Sequence, residues 1–179
     1  MTAGDHEGGS GGDTSARLPM LERRRIEARV LKHVYDTLSK SHSKDVAART
    51  IAAAVRAASI EQAREMASEV GGDTSLQSFV DLQSLWTMNG ALEIEMLEQT
   101  GETFSFNVTR CRYAEMYRDM GLGEIGHLLS CQRDGTFCEG YDERLKLTRT
   151  QTIMQGASHC DFRYRYIADD GDPPEPPPA

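Results

Sequence analysis

The sequence predicts an α+β fold: N-terminal helices followed by a ββααββ unit, with a four-stranded antiparallel sheet packed on helices. Three observations carry this. Apolar residues recur at helical spacing through residues 18–90. The period then switches to alternation over 91–111. A second alternating pair, 144–167, follows an intervening helical stretch, and hairpins separated by helices place one sheet face under those helices.

Each element has a local cause. In "LPMLERRRIEARVLKHVYDTLSK" the apolar set Leu21, Ile26, Val30, Leu31 and Val34 recurs at roughly helical spacing and predicts a first helix. The alanine-rich stretch from Lys44 is a strong helix former and ends at Gly71-Gly72, suited to a C-cap. Asp73-Thr74-Ser75 offers an N-cap for a third helix over "LQSFVDLQSLWTMN", stopped at Asn89-Gly90. "ALEIEMLEQ" and "TFSFNVTRC" alternate around "TGE" and predict a hairpin. "RYAEMYRDMG" is a short helix closed by Gly121, and "GEIGHLLSCQRDGTFCEG" a less regular one. "RLKLTRTQTIM" and "CDFRYRYI" predict the second hairpin, around "QGASH".

The 179 residues suit one domain, over 17–167, with a helical part (17–90) and a sheet-containing part (91–167). Residues 1–16 are rich in Gly, Ser and Asp, and 168–179 are acidic then proline-rich, so both tails are expected to be disordered. A net charge of −8 argues against nucleic acid as a partner, since that needs a basic surface. The apolar runs are too short for a bilayer, and the N-terminal stretch lacks the pattern of a secretory signal. The expectation is a cytoplasmic protein with no membrane partner. The apolar helix faces would serve a core or a homo-oligomer equally well.

Four cysteines, none in a CxxC pair, are expected to be free thiols. Cys111 ends a strand or opens a helix, flanked by Arg110 and Glu115. Backbone N–H groups there would lower a thiol's pKa, while the plainer reading is a buried cysteine. Cys131 and Cys138 are seven apart and would share a face of a regular helix. With Asp134 and His127 they make a weak metal candidate, core packing being the simpler account. Arg149 falls in line with Leu145 and Leu147, so its charge needs an anion, either an internal carboxylate or a ligand's. On the last strand Cys160, Phe162, Tyr164 and Tyr166 share one face, and Asp161 points to the other. His159, Cys160 and Asp161 therefore do not form a triad among themselves, because neighbours on a strand diverge.

The segments "FNVTRCRYAEMYR", "LSCQRD" and "LTRTQTIMQGASHCDFRY" resemble the L-2-amino-thiazoline-4-carboxylic acid hydrolase family over residues 80–166, with the earlier helices fitting loosely. The pattern falls on Asn107, Arg110, Cys111, Tyr113 and Glu115, then Cys131, Asp134, Arg149, Gly156, Cys160, Asp161 and Phe162. The "GTFCEGY" stretch departs from it and sets Cys138 apart from the other thiols. The resemblance implies hydrolysis of a small cyclic amidine bearing a carboxylate to a carbamoyl-cysteine.

On that footing Cys160 or Cys111 is the candidate nucleophile, with Asp134, Asp161 or Glu115 as acid/base. Arg149 or Arg110 would take the substrate carboxylate, with Asn107, Tyr113 and His159 as further binding candidates. No cofactor is expected, and zinc or another divalent metal stays open through a metal-assisted variant. A module that binds a small ligand without turning it over is the alternative from a different class.

Overall fold

The computed structural model describes residues 18–167; both tails expected to be disordered lie outside the described residues. Helices α1 (Met20–Ser41) and α2 (Lys44–Glu69) form a hairpin. Arg24 near the start of α1 reaches Gln62 near the end of α2, so the two run antiparallel. Ser43 caps α2 by accepting from the Val46 N–H, and Gly71 and Gly72 close it with positive φ.

The buried stripe of α1 is not the one its β-branched residues mark. Met20, Leu21, Arg24, Ala28 and Tyr35 face inward, while Ile26, Val30 and Val34 are 53%, 63% and 39% exposed. Residues 24, 28 and 35 lie on one side of a 3.6-residue period and residues 26, 30 and 34 on the other. The inward stripe was hidden because it includes an arginine and an alanine.

The expected third helix is broken. Short helices α3 (Leu76–Asp81) and α4 (Ser84–Thr87) lead to a 3₁₀ turn ending at Gly90, with Asn89 at φ 58°. Ser75 caps α3 reciprocally with Ser78. At its far end the N–H groups of Leu82 and Gln83 bond three residues back, which tightens the turn and stops the helix.

Strands β1 (Leu92–Gln99), β2 (Thr103–Cys111), β3 (Leu145–Thr148) and β4 (Cys160–Tyr166) form one antiparallel sheet in the order β1-β2-β4-β3. The α+β expectation holds. In the central pair, Phe104, Phe106 and Val108 lie opposite Tyr164, Phe162 and Cys160, and all six are buried on one face. Edge strand β1 carries register shifts that break its alternation, leaving Met96 and Leu97 about half exposed.

Helix α5 (Arg112–Asp119) follows β2 directly. Next comes a π-helical turn over His127–Cys131, in which the Gln132 N–H bonds the His127 carbonyl, leading into α6 (Gln132–Tyr141). Helix α6 packs closely on α2: a Cβ at Gly140 would lie 2.5 Å from the Ile60 carbonyl oxygen. Helices α3 and α6 lie against the sheet, with the Phe79 ring of α3 4.8 Å from that of Tyr164 and 6.2 Å from that of Phe137, while α2 packs on α6 and α1 on α2 and α5. Among the described residues no helix is long and apolar enough to cross a membrane.

The second hairpin is shorter than expected. Strand β3 stops at Thr148, and residues 149–159 form a loop with a 3₁₀ turn at Ile153–Gln155, closed by Gly156 at φ 100°. The cause is Asp161, whose carboxylate accepts from the Thr150 and Gln151 N–H groups (3.0 and 2.9 Å) and the Thr150 hydroxyl (2.6 Å). A carboxylate that takes two successive backbone donors draws them out of the sheet ladder.

Candidate functional site

Between sheet and helices lies a cavity of about 80 Å³, roughly several water-sized places. Its apolar walls include Phe106, Phe162, Tyr164, Phe137 and Trp86. Phe106 and Phe162 stack across β2 and β4 with centroids 4.9 Å apart.

Three thiols converge on it from separate elements: Cys111 from the end of β2, Cys131 from the π-helical turn and Cys160 from the start of β4. Cys138 lies outside the cavity lining; it is buried and donates to the Asp134 carbonyl. Cys131 ends the π-helical turn and Cys138 follows seven residues on within α6, but only Cys131 lines the cavity.

Burial dominates the chemistry of all four. It pushes the Cys111 thiol up to about 11 despite the Ala114 N–H on its sulfur at 3.4 Å. Burial, then the Asp134 charge, pushes Cys131 up to about 12, and the same two causes take Cys138 to about 12. Cys160 is also raised by burial, opposed by the Ile153 N–H at 3.2 Å and by the Arg149 charge. The helix-start position of Cys111 does supply a capping donor; desolvation outweighs it.

Asp134, from the first turn of α6, is the carboxylate in the lining. Its pKa is raised by burial, against the pull of Arg149. Arg149 pairs with Asp134, donates to the Cys131 carbonyl at 2.8 Å, and lies 5.0 Å over the Phe162 ring. Burial opposes its charge, and Asp134 outweighs that, holding its pKa above the usual value. The anion that Arg149 needed is thus internal. Tyr113 also lines the cavity, with its hydroxyl on the Trp86 carbonyl at 3.1 Å.

The remaining sequence candidates lie elsewhere. Arg110 is on the surface, donating to Glu115 at 2.8 Å and Glu93 at 3.3 Å. Asn107 occupies the opposite sheet face, between Glu95 and Arg163. Asp161 holds the 149–159 loop, and His159 contacts Ser158 and the Gln151 amide beside it. Strand geometry thus separates Cys160 from Asp161, as the alternation requires.

Two charged lining residues escaped sequence reasoning. Arg24 of α1 and Arg133 of α6 are 4% and 8% exposed. Both bind Glu27: Arg24 at 2.8 and 2.9 Å, Arg133 at 3.0 Å. Arg24 sits in an Arg-Arg-Arg run that reads as a solvated face. The available signal was its shared helical stripe with Leu21, Ala28 and Leu31. Among the described residues no group of three or more His, Cys, Asp or Glu side chains is arranged to hold a metal ion.

Fold and site together define an α+β protein in which three of the four thiols and the Asp134–Arg149 pair gather in one cavity between sheet and helices. The chain belongs to the L-2-amino-thiazoline-4-carboxylic acid hydrolase family, whose model matches residues 23–164. The match extends well before residue 80 and takes in both long helices, including Arg24. No curated protein matches the sequence. Among solved structures, a trafficking protein particle complex subunit 3 from Naegleria fowleri, covalently bound to palmitic acid, is similar. It is 9% identical over 83% of this chain and 99% of its own, with a TM-score of 0.48. The phenol-responsive sensory domain of the transcription activator PoxR, with phenol, is 10% identical over 80% and 74%, with a TM-score of 0.49.

Proposed function

We propose that this chain is a hydrolase that opens a small cyclic amidine of the 2-aminothiazoline-4-carboxylate type to a carbamoyl-cysteine-type product. The observation that carries the reading is the convergence of Cys111, Cys131, Cys160 and the Asp134–Arg149 pair on one cavity, in a chain of this family.

The reaction needs water added across the C2=N3 bond of the ring. The oxygen goes to C2 and a proton to N3; the C2–S bond then breaks, the hydroxyl proton passes to sulfur, and C2 becomes the carbamoyl carbonyl. Asp134 suits the proton traffic because burial keeps its pKa nearer neutrality than an exposed carboxylate's. Cys160 is the first choice for a covalent route, with the Ile153 N–H and Arg149 favouring its thiolate. Its sulfur would add to C2, the ring sulfur would leave with a proton, and water would release the product.

Cys160→Ser and Cys111→Ser in a ring-opening assay test the covalent route. The expectation is a loss of more than about 100-fold for Cys160→Ser and near-normal turnover for Cys111→Ser, since serine keeps the helix cap. Wild-type turnover in both variants ends the covalent proposal.

One feature favours a second reading, a binding module without turnover: burial shifts all three cavity thiols toward the protonated form. Ligand-induced stabilisation of purified protein without ring opening would support it, and turnover of any cyclic amidine would exclude it.

A further inference from the structure

Three of the side chains lining the cavity are guanidiniums, Arg24, Arg133 and Arg149, against the one carboxylate of Asp134. Asp134 is committed to Arg149. Arg24 and Arg133 share the single carboxylate of Glu27, so one buried positive charge is left unmatched. Their hydrogen bonds are incomplete as well. Arg133 gives Nε to the Leu129 carbonyl at 2.9 Å and Nη2 to Glu27, leaving Nη1 without a hydrogen bond among the described residues. Arg24 gives Nη1 to Glu27 and Nη2 to Gln62 at 2.7 Å, leaving Nε likewise.

A guanidinium more than nine-tenths buried with an unmatched charge is costly unless an anion completes it, and its spare nitrogens keep some accessibility, so they can receive one. Burial, followed by the neighbouring charge of Arg24, depresses the Arg133 pKa to about 10. The nearby groups able to supply negative charge do not: the thiols of Cys111 and Cys131 and the phenols of Tyr113 and Tyr117 are all raised by burial.

We infer that Arg24 and Arg133 are the anchor for the carboxylate of the cavity's ligand, which makes the site selective for small monoanions over their neutral counterparts. This assignment rests on the cavity being the substrate site of the hydrolase proposed above. The planar fork of a guanidinium matches a carboxylate, and one negative charge balances the one left over. A phosphate dianion would overshoot that balance beside Asp134. Neither arginine singled out by the sequence is as well suited: Arg149 is already paired, and Arg110 sits outside the lining among its own carboxylates. The acid end of the ligand would meet the α1/α6 wall, leaving a flat ring to the aromatic side of the cavity.

The test uses 2-aminothiazole-4-carboxylate and its 4-carboxamide, aromatic probes that do not ring-open, titrated calorimetrically into the full chain. The wild type is expected to bind the acid at least about tenfold more tightly than the amide, a difference of ~1.4 kcal/mol. Arg24→Lys and Arg133→Lys should each reduce that ratio several-fold while amide affinity stays near wild type. The ratio is immune to partial unfolding, which lowers the binding-competent fraction equally for both probes. Absence of acid binding, equal binding of the two probes, or an unchanged ratio in both variants overturns the anchor. If the preference holds and no cyclic amidine is opened, the hydrolase reading falls and the anchor stands. If rings are opened and acid and amide bind equally, the anchor alone falls.

Discussion

Cys111 shows how two familiar influences on a thiol compete at one atom. Its sulfur caps α5, which favours the thiolate, yet burial moves the pKa to about 11. At pH 7.5 its alkylation by iodoacetamide should therefore run ~100-fold slower than that of an unperturbed thiol, rising with pH to about 11. A rate matching a free thiol would mean that the cavity is wetter than its walls suggest. The Asp134–Arg149 pair makes a second residue-scale prediction. Their side chains are 29% and 14% exposed, so Asp134→Asn leaves a largely buried cation held by one carbonyl. Urea unfolding should show a loss of about 2–4 kcal/mol, at or below the range for breaking fully buried pairs. Adding Arg149→Met should recover part of it, because the stranded charge is then gone.

Between elements, the most connected group is Asp142, just after α6. Its carboxylate takes the Thr74 hydroxyl before α3 at 2.8 Å and the Tyr166 hydroxyl at the end of β4 at 2.9 Å. It also takes the Arg144 backbone and guanidinium at 2.9 to 3.0 Å. Burial opposes its charge, and these donors outweigh that, lowering the pKa to about 2. A depressed carboxylate contributes stability that is complete above its unfolded pKa, ~3.9, and is lost as pH falls through its folded value. Thermal stability should thus drop between roughly pH 4 and 2, and Asp142→Asn should remove that part of the drop. The same variant should cost about 1–3 kcal/mol at pH 7 by stranding its donors. Where α2 meets α6, Gly140→Ala drives a methyl onto the Ile60 carbonyl and Ala63. A cost of about 1–3 kcal/mol by urea unfolding is expected; an unchanged midpoint would show that the helices can part without penalty.

For the molecule as a whole, the legible features were the local ones. The Ser75 cap, the glycine pair closing α2, the turn at 100–102 and the stop at Gly121 all appear where short-range rules put them. So does the alternation that sends Cys160 to the aromatic face and Asp161 to the other. Hydrogen bonds and side-chain directions within a few residues decide such features, so the chain states them directly. What it did not state was which stripe of α1 turns inward, where β3 stops, and which charges share a wall. The stripe depends on α2 and α6 supplying Gln62 and Arg133 beside Arg24, and the end of β3 depends on Asp161 from the next strand. The cavity is the extreme case: its reactive and charged groups come from α1, β2, the π turn, α6, the 149–159 loop and β4. The sequence by itself determined the α+β layering and the chemistry each strand face could carry. Only the tertiary structure decided that three thiols, an ion pair and two half-satisfied arginines meet. That meeting requires β2 to pair with β4 and α1 to close on α6, contacts between residues far apart in the chain that no local period records.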